Sequence, residues 1–344
     1  HFTARMHKPT VVTYHSDIVR QKNLLRLYSP LMHRFLGQAD RIVAASPNYL
    51  ATSQVLKHYR NKTVVVPYGL DKSSYPVPTD TCVEGWRQRF GERFFLFVGV
   101  MRYYKGLHIL LEAAQGTGYP IVIVGAGPLE QELREQAAAL GLDHVHFVGR
   151  LGEEDKVALL QLCTAILFPS HLRSEAFGIS LLEGAMYGKP MISSEIGTGT
   201  SYINIHNETG LVVPPSDPLA FRAAMRTLWD NPLQSLAMGQ KAALRYEQLF
   251  TADQMGRQMA KIYREVVAEK AARCGELYTQ KNPAHGRVFC SCGGRLLDGF
   301  NHVLDNLFGV AKYHHGLVEV EQFVVQTGVA AGHRALVDDH GLGF

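Results

Sequence analysis

Between residues 94 and 213, short apolar runs alternate with helical segments, and this rhythm restricts the fold more than any other feature of the 344-residue chain. Residues 94–100 (FFLFVGV), 119–124 (YPIVIV), 144–148, 165–169, 191–194 and 211–213 read as strands. Residues 107–115, 128–140, 153–163 and 178–187 read as the helices between them, and three more follow at 218–229, 232–249 and 252–270. Strands that are apolar on both faces and joined through helices require a parallel sheet covered on both sides. With 46% apolar and 19% charged residues the chain can supply that core; disorder, collagen and coiled coil are excluded for its bulk.

The flanks are less regular. Residues 11–15, 41–46 and 63–68 read as three strands, with helices at 24–37 and 47–58, the second opened by Ser46 as cap and Pro47 at its first position. Three strands are about half of an open doubly wound domain. Residues 1–80 are therefore expected to form a Rossmann-like domain lacking its first βα units, with 73–81 (SSYPVPTDT) as linker and 81–251 as a second Rossmann-like domain. Residues 274–344 are rich in Gly and His and read as an atypical, disordered tail. His285, Cys290, Cys292, His302, His314 and His315 fit none of the usual zinc spacings, so no metal site is expected.

Five cysteines without a paired CxxC, no signal-peptide pattern, and no apolar run near the ~18 residues of a membrane span lead to the expectation of a reduced, cytoplasmic protein. Residues 1–80 carry eleven Lys/Arg against four acids, whereas the whole chain has a net charge of +4. That local excess points to an anionic partner. Arg20, Lys22, Arg26 and Arg34 share one helical stretch with Leu24, Leu25, Leu27, Leu31 and Phe35, a composition suited to an anionic membrane surface; Pro30 is expected to divide it into two pieces.

The chemistry-bearing residues cluster where strands end. In 170–190 (SHLRSEAFGISLLEGAMYGKP), Glu175 lies in a strand–helix loop and Glu183 within the following helix. Two carboxylates so placed can accept hydrogen bonds from several sugar hydroxyls. Phe177-Gly178 lets a ligand approach the backbone, and the helix N-terminus offers N–H groups to an anion. In 99–106 (GVMRYYKG), Arg102 and Lys105 follow the first strand of the same sheet; two fixed cations suit a leaving diphosphate without a metal ion. Gly125-Ala126-Gly127-Pro128 lacks the third glycine of the dinucleotide fingerprint, Glu130 standing in its place, and reads as a tight turn at the sheet edge. In 13–17 (TYHSD), His15 can reach a ligand, with Asp17 to orient it.

The set GVMRYYKG, VGAGP, FVGRL, SEAFGISLLEGAMYGKP and NETGLVVPP, in this order across residues 8–270, resembles retaining glycosyltransferases of family 4, above all bacterial mannosyl- and rhamnosyltransferases of O-antigen and capsule assembly. The resemblance implies a GT-B fold, two Rossmann-like domains facing across a cleft, with the helix at 252–270 crossing back to the first. It implies Arg102 and Lys105 on the diphosphate, and Glu175, Phe177 and Gly178 on the donor sugar. Gly99 and Ile179 belong to the same donor site, Glu183 to the ribose, Arg150 and Leu151 to the border of the base, and His15 to the donor sugar from the facing domain. It further implies transfer of a hexosyl unit, mannose from GDP-mannose, with retention and without cofactor or metal, to a lipid-linked saccharide at the inner face of the plasma membrane. No nucleic acid is expected as a partner. The choice between GDP and UDP has no side-chain signature. The alternatives are a non-catalytic nucleotide-sugar-binding remnant and a GT-B nucleotide-sugar epimerase; the paired carboxylates argue against the latter.

Overall fold

A computed structural model describes residues 8–17 and 22–281, with the side chains of 22–27 and 274–281 outside the description. The sequence rhythm is realised as two parallel sheets. The larger contains β4 (Phe95–Val98), β5 (Ile121–Val124), β6 (Val145–Gly149), β7 (Ala165–Phe168), β8 (Met191–Ser194) and β9 (Gly210–Val213) in the order β6-β5-β4-β7-β8-β9. In β4, Phe95 and Phe97 enter one core with Ile121, Ile123 and Leu167. Leu96 enters the opposite core with Val122, Ile166 and Phe168. All are essentially inaccessible to solvent, which is why these strands are apolar throughout rather than alternating.

The smaller sheet is β1 (Val11–Tyr14), β2 (Arg41–Ala44) and β3 (Thr63–Val65), parallel in that order. Helix α1 (Lys22–Gln38) runs through Pro30 unbroken, contrary to the expected division. Proline forfeits one main-chain hydrogen bond, but Met32 and Leu36 anchor the following turns in the core with Tyr14, Ile42 and Tyr49. The helix expected at 47–58 does break. It ends as α2 (Pro47–Thr52), capped by the Ser46 hydroxyl, and a 3-10 segment follows at Leu56–Lys62. Ser53 causes the break: extended at ψ 124°, it accepts from the Leu56 N–H at 3.1 Å, starting a new turn.

The segment read as a linker is held down. Tyr75 is buried. Thr79 donates its N–H and hydroxyl to Glu154, both at 2.9 Å, and caps α3 (Asp80–Phe90), a helix the sequence reading did not assign. Around the larger sheet stand α4 (Leu107–Ala114), α5 (Glu130–Ala139), α6 (Glu153–Leu162), α7 (Ile179–Met186), α8 (Thr200–Ile203), α9 (Pro218–Asp230) and α10 (Pro232–Leu249). The long α11 (Ala252–Lys281) lies on the smaller sheet: Met259, Ile262 and Val266 pack on Val43 and Val66, and Lys270 pairs with Asp40 at 3.1 Å. The two chain crossings between the sheets run side by side. Leu70 donates to the Phe250 carbonyl at 3.0 Å and accepts from Ala252 N–H at 2.9 Å. A Cβ on Gly69 would lie 2.3 Å from the Thr251 oxygen, so only glycine permits that approach. Helix α11 runs on to Lys281, past the expected end at 270 and into the segment read as a tail from 274; residues 1–7, 18–21 and 282–344, including Arg20 and the rest of that tail, lie outside the described residues.

Candidate functional site

The larger sheet runs β4, β5, β6 in one direction and β7, β8, β9 in the other, so its switch point falls between β4 and β7. Open α/β sheets bind ligands in the crevice at the carboxyl ends of such strands. The loops leaving this crevice are residues 99–106 and 169–178, the two segments singled out in the sequence. They are sewn together. The His171 N–H donates to the Tyr104 carbonyl at 3.1 Å, and the His171 Nε2 lies 3.1 Å from the Tyr103 carbonyl. Gly106, at φ 69°, passes so near Pro169 that a Cβ would come within 2.0 Å of its carbonyl oxygen.

Across this seam Lys105 Nζ donates to Glu175 Oε2 at 2.6 Å, and the Ser170 hydroxyl donates to the same oxygen at 3.2 Å. Glu175 is 9% exposed, and a carboxylate withdrawn that far from water requires a counter-charge. The ammonium also lies 5.1 Å from the Phe168 ring centroid. An ammonium has three donors, so Lys105 keeps donors for a second anion. Arg102 is exposed one turn before it, its guanidinium in no side-chain hydrogen bond or ion pair among the described residues. Gly99 faces the Lys105 stem: a Cβ there would sit 3.9 Å from its Cε and 3.3 Å from the Phe97 ring.

Gly178 at φ 105° starts α7 directly beside this pair, and a Cβ would press on Leu181 and Phe168 at 3.1 and 3.2 Å. Phe177 is buried and meets Tyr68 edge-on at 5.1 Å; Ile179 is half-buried against the core. One turn on, Glu183 is 5% exposed and accepts from Tyr75 Oη at 3.0 Å and Lys156 Nζ at 2.8 Å, both at Oε1. Burial pulls the Lys156 ammonium down, but the charge of Glu183 and the bonds to Glu153 and Glu183 outweigh it, and its pKa is raised. Burial, then the Glu183 charge, pushes the Tyr75 phenol up.

From the facing unit, exposed His15 at the end of β1 places Nδ1 2.9 Å from Tyr68 Oη. Tyr68 thus joins His15 to Phe177 across the cleft, its phenol pushed up to about 12 by burial. Asp17 does not orient His15, contrary to expectation; its carboxylate is taken by Tyr14 and Ser53 on its own unit and Arg173 on the other. Arg150 is exposed after edge strand β6 without a side-chain partner among the described residues, and Leu151 packs on the core. The turn at Gly125–Pro128 follows an inner strand, not the sheet edge as expected. Its Ala126 carbonyl accepts from the Met101 N–H at 3.1 Å, so it supports the cation loop. The structure therefore puts Lys105 and Glu175 in contact and links His15 to Phe177, while Glu183 has separate partners. Tyr68, Tyr75, Lys156 and Ser170 escaped the sequence reading. A glutamate inside the apolar helix ISLLEGAM signals that a buried partner exists, but not which residue it is.

Among the described residues no group of three His, Cys, Asp or Glu side chains could hold a metal ion. Residues 84–245 match the family described as Glycosyl transferases group 1. The chain is 72% identical over 252 residues to the D-rhamnosyltransferase WbpZ of Pseudomonas aeruginosa, an alignment covering 73% of this chain and 66% of that protein, just under two thirds of its length. It is 52% identical over 271 residues to the O-antigen chain mannosyltransferase C of Escherichia coli, covering 79% of this chain and 73% of that one. Sucrose-phosphate synthase from Thermosynechococcus elongatus superimposes with a TM-score of 0.66 at 25% identity, over 75% of this chain and 68% of that one. Anabaena HepE in complex with UDP gives a TM-score of 0.65 at 22% identity, over 77% and 74%. The expected GT-B type of α/β fold, with its parallel sheets, is the one these structures share with the chain.

Proposed function

Because this chain belongs to the group 1 glycosyltransferases, we propose that it moves a hexosyl unit from a nucleotide-sugar to a saccharide acceptor in O-antigen synthesis. The two relatives are named for D-rhamnose and mannose. D-rhamnose is mannose without its 6-hydroxyl, so both readings ask for one ring configuration, and the donor proposed is GDP-mannose or its 6-deoxy analogue.

The observation that carries the reading is the Lys105–Glu175 pair at the switch point, with Arg102 free beside it. As the bond from the anomeric carbon to the diphosphate breaks, charge grows on phosphate oxygens, and two cations carried on one loop, Lys105 already held by Glu175, stabilise it. That is the service a metal ion performs elsewhere, and the proposal is that none is needed. Glu175, fixed by Lys105 and Ser170, accepts from hydroxyls of the donor sugar. Glu183 spends Oε1 on Tyr75 and Lys156, which leaves its other oxygen for the ribose. His15 lines the donor sugar from the other side, and the configuration at the anomeric carbon is retained. Calorimetric titration with GDP-mannose in EDTA tests the reading: binding is expected, and its absence would remove the donor site.

The acceptor proposed is lipid-linked, presented at the inner face of the plasma membrane. Among the described residues no helix is long and apolar enough to cross a membrane. Helix α1 offers a surface contact instead: Tyr28 and Leu31 are 44% and 46% exposed, and exposed Arg34 lies one turn further on the same face. The side chains of Lys22 and Arg26 lie outside the described residues, as does Arg20. A basic residue near an anionic surface contributes about 1 kcal/mol, screened by salt. The protein is expected to co-sediment with phosphatidylglycerol vesicles at low salt, to release at high salt, and to ignore neutral vesicles. Equal sedimentation with both lipids would refute the surface contact.

A further inference from the structure

The loop that carries Glu175 also carries Arg173, whose guanidinium leaves its own unit. Arg173 Nη1 donates to Thr52 Oγ1 at 2.8 Å and to the Gly197 carbonyl at 2.9 Å. Nη2 reaches Asp17 Oδ2 at 3.4 Å, and the guanidinium carbon lies 5.3 Å from the Tyr49 ring centroid. Asp17, Tyr49 and Thr52 all belong to the smaller unit. Asp17 is itself fixed: its Oδ1 accepts from Tyr14 Oη at 2.9 Å and Ser53 Oγ at 2.7 Å, and its backbone N–H donates to the Tyr49 hydroxyl. A planar fork with several donors, seated on an aromatic face, fixes orientation where a point charge does not.

The placement is symmetric about the cleft. Arg173 precedes Glu175 by two residues, and Asp17 follows His15 by two. We propose that Arg173 and Asp17 are a positioning pair that registers His15 on one unit against Glu175 on the other. Neither side chain needs to touch the donor. The phosphate cations lie on residues 99–106 of the larger unit, so the pair governs alignment of the two halves of the site rather than nucleotide affinity. Its consequence for turnover rests on the glycosyl-transfer reading; the mechanical link between the loops does not.

Two readouts test it. In Asp17→Asn and Arg173→Gln, kcat for transfer from GDP-mannose is expected to fall roughly 100-fold, the scale of an ångström-sized misplacement. Calorimetric affinity for GDP should stay at the parental value. The double variant should be little worse than Arg173→Gln alone, because that change already removes the Asp17 bond together with the Thr52 bond, and Arg173→Lys should recover only part of the loss. Independently of turnover, hydrogen exchange in residues 170–178 should quicken about threefold or more in Asp17→Asn, and exchange in residues 13–17 likewise in Arg173→Gln. Parental kcat in either single variant would overturn the proposal. So would exchange that changes only on the substituted unit, or a GDP affinity that falls in step with kcat. If the parent turns over no nucleotide-sugar, the transferase reading fails while the exchange experiment still decides the pair. Arg173→Lys, the mildest change, carries both readouts if Asp17→Asn does not fold.

Discussion

Lys105→Ala is expected to lower turnover by roughly 10²–10³-fold, the scale seen when one preorganised charge-stabilising donor is removed, and to destabilise the fold as well. The second effect follows from burial. Lys105 and Glu175 have side chains 14% and 11% exposed, and they meet at 2.6 Å. Removing the ammonium leaves the carboxylate with the Ser170 hydroxyl alone, and breaking a buried pair from one side costs about 3 kcal/mol or more. The two effects are separable. Lys105→Ala combined with Glu175→Gln leaves an amide that needs no counter-charge, so most of the stability should return while turnover stays low. Denaturant melts of the single and double variants, with the same turnover assay, check both halves. A double variant as unstable as Lys105→Ala would mean that lost packing on Phe168 and Tyr104, not an orphaned charge, sets the cost.

Gly106→Ala is expected to be strongly disruptive, although it adds only one methyl to the cleft. Gly106 sits at φ 69° and caps α4, where an L-residue is strained by about 1–2 kcal/mol. The added Cβ would lie 2.0 Å from the Pro169 carbonyl oxygen, so the 99–106 and 169–178 loops must separate. Contact between these loops is what brings Lys105 to Glu175. A loss of about 3 kcal/mol in stability and near-complete loss of GDP binding are expected, read by thermal unfolding with and without nucleotide. Gly141→Ala is the control: it too has positive φ, 64°, but nothing lies within 4 Å of its Cβ position. It should therefore show the backbone strain without the loss of binding. Parental nucleotide binding in Gly106→Ala would show that the seam between the loops does not shape the site.

The sequence was most informative where one side chain's chemistry admits one environment. FLFV at β4 is apolar at every position, which only an inner parallel strand accommodates, and it lies at the centre of the larger sheet. Lys105 and Glu175 were legible as loop residues after strands, yet their direct pairing was not, because it depends on β4 and β7 being neighbours. The break at Ser53 was hidden by residues that all tolerate a helix; a single hydroxyl bond to Leu56 decides it. Helix α3 is masked in the sequence by the Pro- and Thr-rich run before it, which reads as linker, although Thr79-Asp80 is an ordinary helix start. Tyr75 and Lys156 come to Glu183 from 108 and 27 residues away, and no local pattern encodes such an approach. Asp17 is near His15 in sequence, but the chain has already left β1 at Tyr14, and the two side chains meet different neighbours, Tyr68 and Arg173.

A donor site held by cations at the β4–β7 switch point is tested most directly by calorimetric titration of GDP-mannose into the parent and Arg102→Ala, both in EDTA. Arg102 is exposed and makes no side-chain hydrogen bond or ion pair among the described residues, so its removal should leave folding untouched and report on ligand alone. The parent is expected to bind with the chelator present, and Arg102→Ala to bind at least tenfold more weakly, the equivalent of about 1.4 kcal/mol. Binding that appears only when a divalent metal is restored, or equal affinity in the two proteins, would contradict the account.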